Sequence, residues 1–223
     1  MRPELVSYPK SGRSRIRFGM HHLGLDESMR FHHDGFEFND GARPAHDFSV
    51  EKRLRHLDEA GPTVFLKRDP RDLLVSLYFQ VTGRFQDFFK YTGTLSDFVR
   101  DPYFGADALR RFFEMWAEVC AQRPVLVVYY EECAVDAAGV FRRIGEHCGF
   151  QRPENDWIAA AEASSFENMR RVEDSGEFPR GWLKKRNGFA KVRRGKVGGY
   201  SDSLSTEDIA YVNSVFRIES PSA

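Results

Sequence analysis

Leu5-Val6-Ser7-Tyr8-Pro9-Lys10-Ser11-Gly12-Arg13-Ser14 runs from an apolar stretch through a proline, a cation and a glycine into a helical pattern. Leu5 to Tyr8 reads as a buried strand ended by Pro9. A glycine-containing turn follows, and a helix is predicted from about Ser14 to His22. Backbone N–H groups and the positive end of the helix dipole then meet at one point, which favours an anion there. Lys10 adds a mobile positive charge. The nucleotide-hydrolase loop GxxxxGK[ST] has a different order, because here the lysine precedes the glycine. Taken alone, this strand–turn–helix is also what a purely structural turn looks like.

The same unit recurs downstream. Thr63 to Lys67 is a strand rich in Val, Phe and Leu, followed by Lys67-Arg68-Asp69-Pro70-Arg71-Asp72. Pro70 suits the first turn of a helix, which continues through Leu73, Leu74, Leu77 and Tyr78. Ser76 falls one to two turns into that helix, on the face that points back toward Arg68. An arginine and a hydroxyl converging in this way can hold a second phosphate; a surface ion-pair cluster is the other reading.

Met29 to His33 is a further candidate strand, Ser49 to Asp58 a helix and Asp58 to Pro62 a turn. Ala106 to Arg123 is the clearest helix, with Leu109, Phe112, Phe113, Trp116, Val119 and Cys120 at three- and four-residue steps. After Pro124, Val125 to Tyr130 reads as a strand. Val140, Phe141, Ile144 and Cys148 mark an amphipathic helix capped by Gly149. Strands alternating with helices predict an α/β fold with a central, mostly parallel sheet of four to five strands flanked by helices. In such sheets ligands bind beyond the carboxyl ends of the strands, where both motifs lie.

The 223 residues suit one domain spanning 1–223. With 33 Lys plus Arg against 33 Asp plus Glu, the balance argues against broad non-specific nucleic-acid binding, though not against a local basic site. Val125 to Tyr130, the longest apolar run, is too short to span a bilayer. Cys120, Cys133 and Cys148 match no zinc or CxxC spacing and read as free thiols in a reducing compartment. No signal peptide is visible, so a cytoplasmic location is expected. The stretch 173–199 mixes Gly, aromatic and charged residues without periodicity. From Arg180 to Lys196 it holds eight cations and no Asp or Glu. That stretch is either a solvated basic loop or a mobile lid over an anionic ligand.

Five elements in order, spanning roughly residues 5–201, resemble the sulfotransferases that use 3′-phosphoadenosine-5′-phosphosulfate (PAPS). Tyr8-Pro9-Lys10-Ser11-Gly12 resembles their 5′-phosphosulfate loop, and Arg68-Asp69-Pro70-Arg71-Asp72 with Ser76 their 3′-phosphate motif. Tyr130-Glu131-Glu132 resembles their tyrosine-acid-acid element. Ser164-Ser165-Phe166-Glu167-Asn168-Met169 is similar to the segment whose Phe stacks on adenine. Arg193-Arg194-Gly195-Lys196-Val197-Gly198 is similar to the basic-glycine motif that closes over the 3′-phosphate.

The resemblance implies a P-loop-like three-layer fold and sulfuryl transfer from PAPS, leaving adenosine 3′,5′-bisphosphate (PAP), with no metal. It implies that Lys10 contacts the 5′-phosphate and stabilises the leaving oxygen. Ser11, Gly12, Arg13 and Ser14 complete the 5′-phosphate loop. Arg68, Ser76, Arg193, Arg194 and Gly195 hold the 3′-phosphate, and Tyr130, Ser164 and Phe166 line the adenosine. His33 is the expected general base and His32 the second choice, with Asp34 and Glu37 as carboxylate options; Lys10, His33 and Ser76 make the catalytic set. The bland reading of His32 and His33 is polar residues at a strand end. His21 and His22 read as structural or acceptor-facing.

Two departures stand out. Arg15 stands where many relatives carry an adenine-stacking aromatic, so it either stacks through its guanidinium plane or faces solvent. Gly199-Tyr200 stands where the cytosolic relatives have Asp-Trp. The aromatics from Tyr78 to Phe104 form either an acceptor channel or ordinary packing. The acceptor is a small molecule, glycan or lipid of unspecified identity, and the oligomeric state is open. Two other readings are a P-loop small-molecule kinase and a non-catalytic adenosine-phosphate binder.

Overall fold

Four apolar stretches become strands in the computed structural model, which describes residues 1–219: β1 (Glu4–Ser7), β2 (Arg30–His32), β3 (Thr63–Lys67) and β4 (Val125–Tyr129). They form one parallel sheet in the order β2-β1-β3-β4. The register aligns Val6 with His32 and Phe65, Ser7 with Leu66, and Lys67 with Tyr129. The residues that leave the strands, namely Tyr8, His33, Arg68 and Tyr130, therefore emerge along one edge. Three short turns into helices begin there, and that is where a parallel sheet exposes its ligand-binding groups.

Alternation along the strands builds two core layers. Leu5, Val64, Leu66 and Val128 face one side. They pack with α1 (Arg13–His22), α8 (Ala137–His147) and α9 (Glu154–Ala163). Val6 and Phe65 face the other side, with α3 (Pro70–Phe79) and α6 (Ala106–Gln122). Phe65 stacks on Trp116 with ring centroids 4.9 Å apart. The remaining helices are α2 (Val50–Glu59), α4 (Gln86–Phe89), α5 (Leu95–Arg100), α7 (Glu132–Val135), α10 (Phe166–Ser175) and α11 (Thr206–Phe216). Between α3 and α4, Gln80–Arg84 forms a single π-helical turn, a deviation that recurs at functional sites.

The crowded aromatics after Tyr78 are mainly core. Phe98 and Phe104 are fully buried and stacked at 5.4 Å, with Phe89 edge-on to Phe104. A smaller cluster joins Phe18 of α1, Met169 of α10, and Phe178 and Leu183 of the stretch after Gly176. Among the described residues, no helix is long and apolar enough to cross a membrane.

Candidate active site

The loop after β1 turns on two left-handed residues, Lys10 (φ 72°) and Gly12 (φ 97°). Ser11 N–H donates to the Tyr8 carbonyl at 3.3 Å, and Arg15 N–H to the Gly12 carbonyl at 2.9 Å, which starts α1. A Cβ on Gly12 would lie 2.1 Å from the Tyr130 ring, so the position needs glycine for both conformation and space. Arg68 closes the group. Its Nη1 donates to the Lys10 carbonyl at 3.1 Å, and its guanidinium lies 4.7 Å over the Tyr130 ring. Asp69 caps α3 by accepting from Arg71 N–H, and its own N–H donates to the Glu131 carboxylate. The ends of β1, β3 and β4 are thus bonded into one unit.

That unit borders a cavity of about 370 Å³. Lys10, Gly12, Arg13, Ser14 and Arg15 line it from the loop and α1, and Arg68, Asp72 and Ser76 from α3 and its approach. Tyr130, Ser164 and Phe166 form a further wall. Arg193, Arg194 and Gly195 border it from the basic segment. Gly195 (φ 63°) abuts Phe166, whose ring would lie 2.4 Å from a Cβ there. Ser164 Oγ is turned away, donating to the Ala161 carbonyl. Ser11 departs from its expected place: it is fully buried beneath the loop, does not line the cavity, and its Oγ has no partner.

The four candidate bases separate cleanly. His33, just past β2, lines the cavity and is 9% exposed. Its Nδ1–H donates to the Ser7 carbonyl at 3.0 Å, leaving the Nε2 lone pair to accept from Arg13 Nη2 at 2.6 Å. Burial, then the Arg13 charge, hold its pKa well below the usual value. His32 points to the opposite side of the strand, toward Glu4, and lines a separate surface pocket. Glu4 is fully buried. Burial opposes its charge, but hydrogen bonds and charge from His32 and His56 outweigh that and bring its pKa down to about 2. Arg30 donates to the same carboxylate at 2.8 Å. Asp34 accepts from Arg53 and Trp116, and Glu37 accepts from the His33 N–H; neither carboxylate lines the cavity.

Four side chains with no role assigned from the sequence complete the site. Asp72, buried, accepts from the N–H groups of Gly198 and Tyr200, each at 2.8 Å. Glu173, also buried, accepts from Lys191 N–H at 2.5 Å and Val192 N–H at 2.9 Å. Arg84, in the π turn, donates through Nη1 to the carbonyls of Lys184 and Phe189. Lys191 donates through Nζ to the Trp182 carbonyl at 2.5 Å. From the sequence, Glu173 is readable only as the start of an irregular stretch. In the structure it lies within α10 and anchors the basic segment. The segment 176–198 has no helix and only the bridge between Arg186 and Phe189, yet these carboxylates tie it to the rest of the domain.

Lys10, Arg13, Arg15, Arg68, Arg84, Lys191, Arg193, Arg194 and Lys196 line the cavity against one carboxylate, Asp72. Burial and the charges of Arg84, Arg68 and Arg193 bring the Lys10 ammonium down to about 7. Burial, then Lys10 and Arg84, hold Lys191 well below its ordinary range. Arg13 Nη1, Arg15 Nε, Arg68 Nε and Trp182 Nε1 are buried without partners. Orphaned donors are rare in folded proteins, and here they gather among cations. An anion with several acceptor oxygens would match the charge of that lining.

A family model described as the sulfotransferase domain matches residues 58–220. The chain belongs to this family. Sulfuryl transfer is the reaction class of this sulfotransferase, and the match includes Arg68, Ser76 and the basic segment but not the Lys10 loop. Structural likeness covers the rest. A mouse sulfotransferase, SULT7A1, solved with PAP, superposes with a TM-score of 0.67 at 16% identity, covering 96% of this chain and 82% of that one. A retinol dehydratase solved with androsterone and PAP gives 0.63 at 17% identity, covering 99% and 84%. A retinol dehydratase solved with retinol and PAP gives 0.61 at 18% identity, covering 97% and 81%. At these identities the likeness establishes the P-loop-like fold. No curated protein sequence matches this sulfotransferase.

Proposed function

We propose that this sulfotransferase transfers a sulfuryl group from PAPS to a hydroxyl or amine of an acceptor, by in-line displacement. The observation that carries the reading is the ring of cations, Lys10, Arg13, Arg15, Arg68, Arg193 and Arg194 among them, around one cavity that holds a single carboxylate. These residues fit a ligand with two phosphates. Lys10 with Arg13 and Arg15 supplies charge at the end of the loop. Arg68, Arg193 and Arg194 supply it at the α3 end, with the Ser76 hydroxyl as a neutral donor beside them, where the 3′-phosphate is the group that needs it. Tyr130 and Phe166 offer flat faces for an adenosine.

The bound donor supplies the sulfur that the acceptor oxygen attacks while the bond from sulfur to the phosphate oxygen breaks. Lys10 meets the negative charge left on that oxygen. His33 Nε2 takes the acceptor's proton, with Ser7 holding the other ring nitrogen protonated so that the lone pair stays on Nε2. In this structure Arg13 Nη2 occupies that lone pair. Anionic oxygens are stronger acceptors for a guanidinium than an imidazole is, so the Arg13 guanidinium turns to the donor and frees the base. The kinase reading lacks its Lys-Ser/Thr pair, because Arg13-Ser14 follows Gly12.

Thermal unfolding with adenosine 3′,5′-bisphosphate or 5′-AMP tests this. At a hundredfold excess over Kd, PAP should raise Tm by about 5 to 10 °C and 5′-AMP by much less. Equal shifts would remove Arg68 and Ser76 from phosphate binding.

A further inference from the structure

Donor binding leaves one part of the cavity unassigned, and the role proposed for that part depends on the PAPS reading of the rest. Beyond Lys10 and His33 the wall is built by Gln80, Arg84, Phe85, Trp182 and Lys191. The continuation of α3 carries the wall there. Gln80 and Arg84 follow Ser76 by about one and two turns, along the stripe that lines the cavity. Gln80, buried, donates to the Phe38 carbonyl at 2.9 Å, so this end is joined to the stretch that follows His33.

Arg84 is 8% exposed. The nearest carboxylate to it, Glu173, lies 3.8 Å away and is already accepting two backbone N–H groups. Lys191 makes no ion pair among the described residues; its hydrogen bond goes to a neutral carbonyl. The donor's own charges are matched elsewhere, by Lys10, Arg13 and Arg15 at one end and Arg68, Arg193 and Arg194 at the other. Lys191 is therefore left without a counter-charge on this wall, and Arg84 has only Glu173, a carboxylate it shares with two backbone N–H groups; a sequestered cation short of counter-charge is unfavourable. A neutral apolar acceptor would leave them so. Phe85 and Trp182 add flat apolar faces beside them.

We infer that the acceptor is itself an anion: a hydroxyl or amine compound carrying a carboxylate or phosphate that Arg84 and Lys191 hold. The attacking atom then sits at His33 while the acid anchors the far end, and the product bears both the original anionic group and a sulfate ester or sulfamate.

Matched pairs that differ in one anionic group test this, with PAPS as donor and PAP release as the readout. The pairs are 4-hydroxyphenylacetate against its amide, 4-nitrophenyl β-glucuronide against the β-glucoside, and glucose 6-phosphate against glucose. The first two report a carboxylate anchor and the third a phosphate. The anionic member of at least one pair should have the higher kcat/KM, by about 10- to 100-fold. Lys191→Met and Arg84→Gln should each remove most of that ratio while PAP still raises Tm, which shows that the variant is folded. Neutral members that match or exceed the anionic ones in every pair overturn the inference, as does a preference that survives both substitutions. If no pair turns over, calorimetric titration of the same six compounds into the PAP-loaded protein decides: no heat from any acid overturns it. Failure of PAP itself to stabilise the wild-type protein is a different result, and would remove the donor reading on which this one rests.

Discussion

Two basic stretches line the same cavity and are shaped by opposite means. The loop Tyr8–Ser14 is built by its own backbone: a strand end, left-handed Lys10 and Gly12, and the first bonds of α1. The segment 176–198 has almost no regular structure of its own. Buried carboxylates hold it, Glu173 at Lys191 and Val192, and Asp72, far away in sequence, at Gly198 and the adjoining Tyr200. Arg170 adds a bond to the Val192 carbonyl at 2.7 Å. A site made this way has one wall set locally and one wall that exists only when the whole domain is folded. The two walls should therefore fail differently.

The largest effect is expected on the loop side, which also positions His33 through Ser7 and Arg13. His33→Ala should lower kcat by about 100- to 10,000-fold. His32→Ala, on the other side of the strand, should leave turnover largely intact. A larger loss at His32 would reverse the assignment of the base. Next comes Lys10→Ala, expected to lower kcat by about 100- to 1000-fold with little change in Tm. Wild-type turnover in that variant would remove the loop from the chemistry.

Glu173→Gln addresses the other wall. It removes one acceptor from two buried N–H groups and should lower stability by about 1–3 kcal/mol, with limited proteolysis cutting first within 176–198. A variant that keeps both Tm and protease resistance would show that the segment does not depend on this anchor.

The smallest effect is on protons. Lys10 has a pKa of about 7 in the free protein against an ordinary 10.5. Between those values the unfolded chain holds the extra proton, so this group adds stability to the ligand-free protein as pH rises through that window. A phosphate beside Lys10 restores the charge, so PAP binding should take up a fraction of a proton and weaken as pH rises from about 7 toward 10.5. Calorimetry in buffers of different ionisation heat measures the uptake. Proton release, or no dependence on buffer, would contradict the charge state given to Lys10.

Much of the fold is legible in the residues alone. The strands are plain because apolar runs bounded by Pro and Gly have few alternatives, although β1 begins at Glu4 and β2 stops at His32. The helices after Cys148 are not legible. α9 is rich in alanine and lacks a strong apolar stripe, and α10 follows it directly through Ser165, whose side chain accepts from Asn168 N–H. Ser11 shows the limit of a motif, because it belongs to the loop by position but points into the protein.

By itself, the sequence determined the parallel α/β plan and singled out the Lys10 loop and the Arg68–Ser76 motif as the two phosphate-binding candidates, because each motif lies within one strand–turn–helix. Only the tertiary structure placed His33 at the cavity and His32 away from it, because a strand sends neighbours to opposite faces and the sheet sets which face holds the cavity. It also decided that Glu173, Asp72 and Arg84 shape the basic wall. Their partners lie up to 128 residues away in sequence, and no local pattern records a hydrogen bond of that reach.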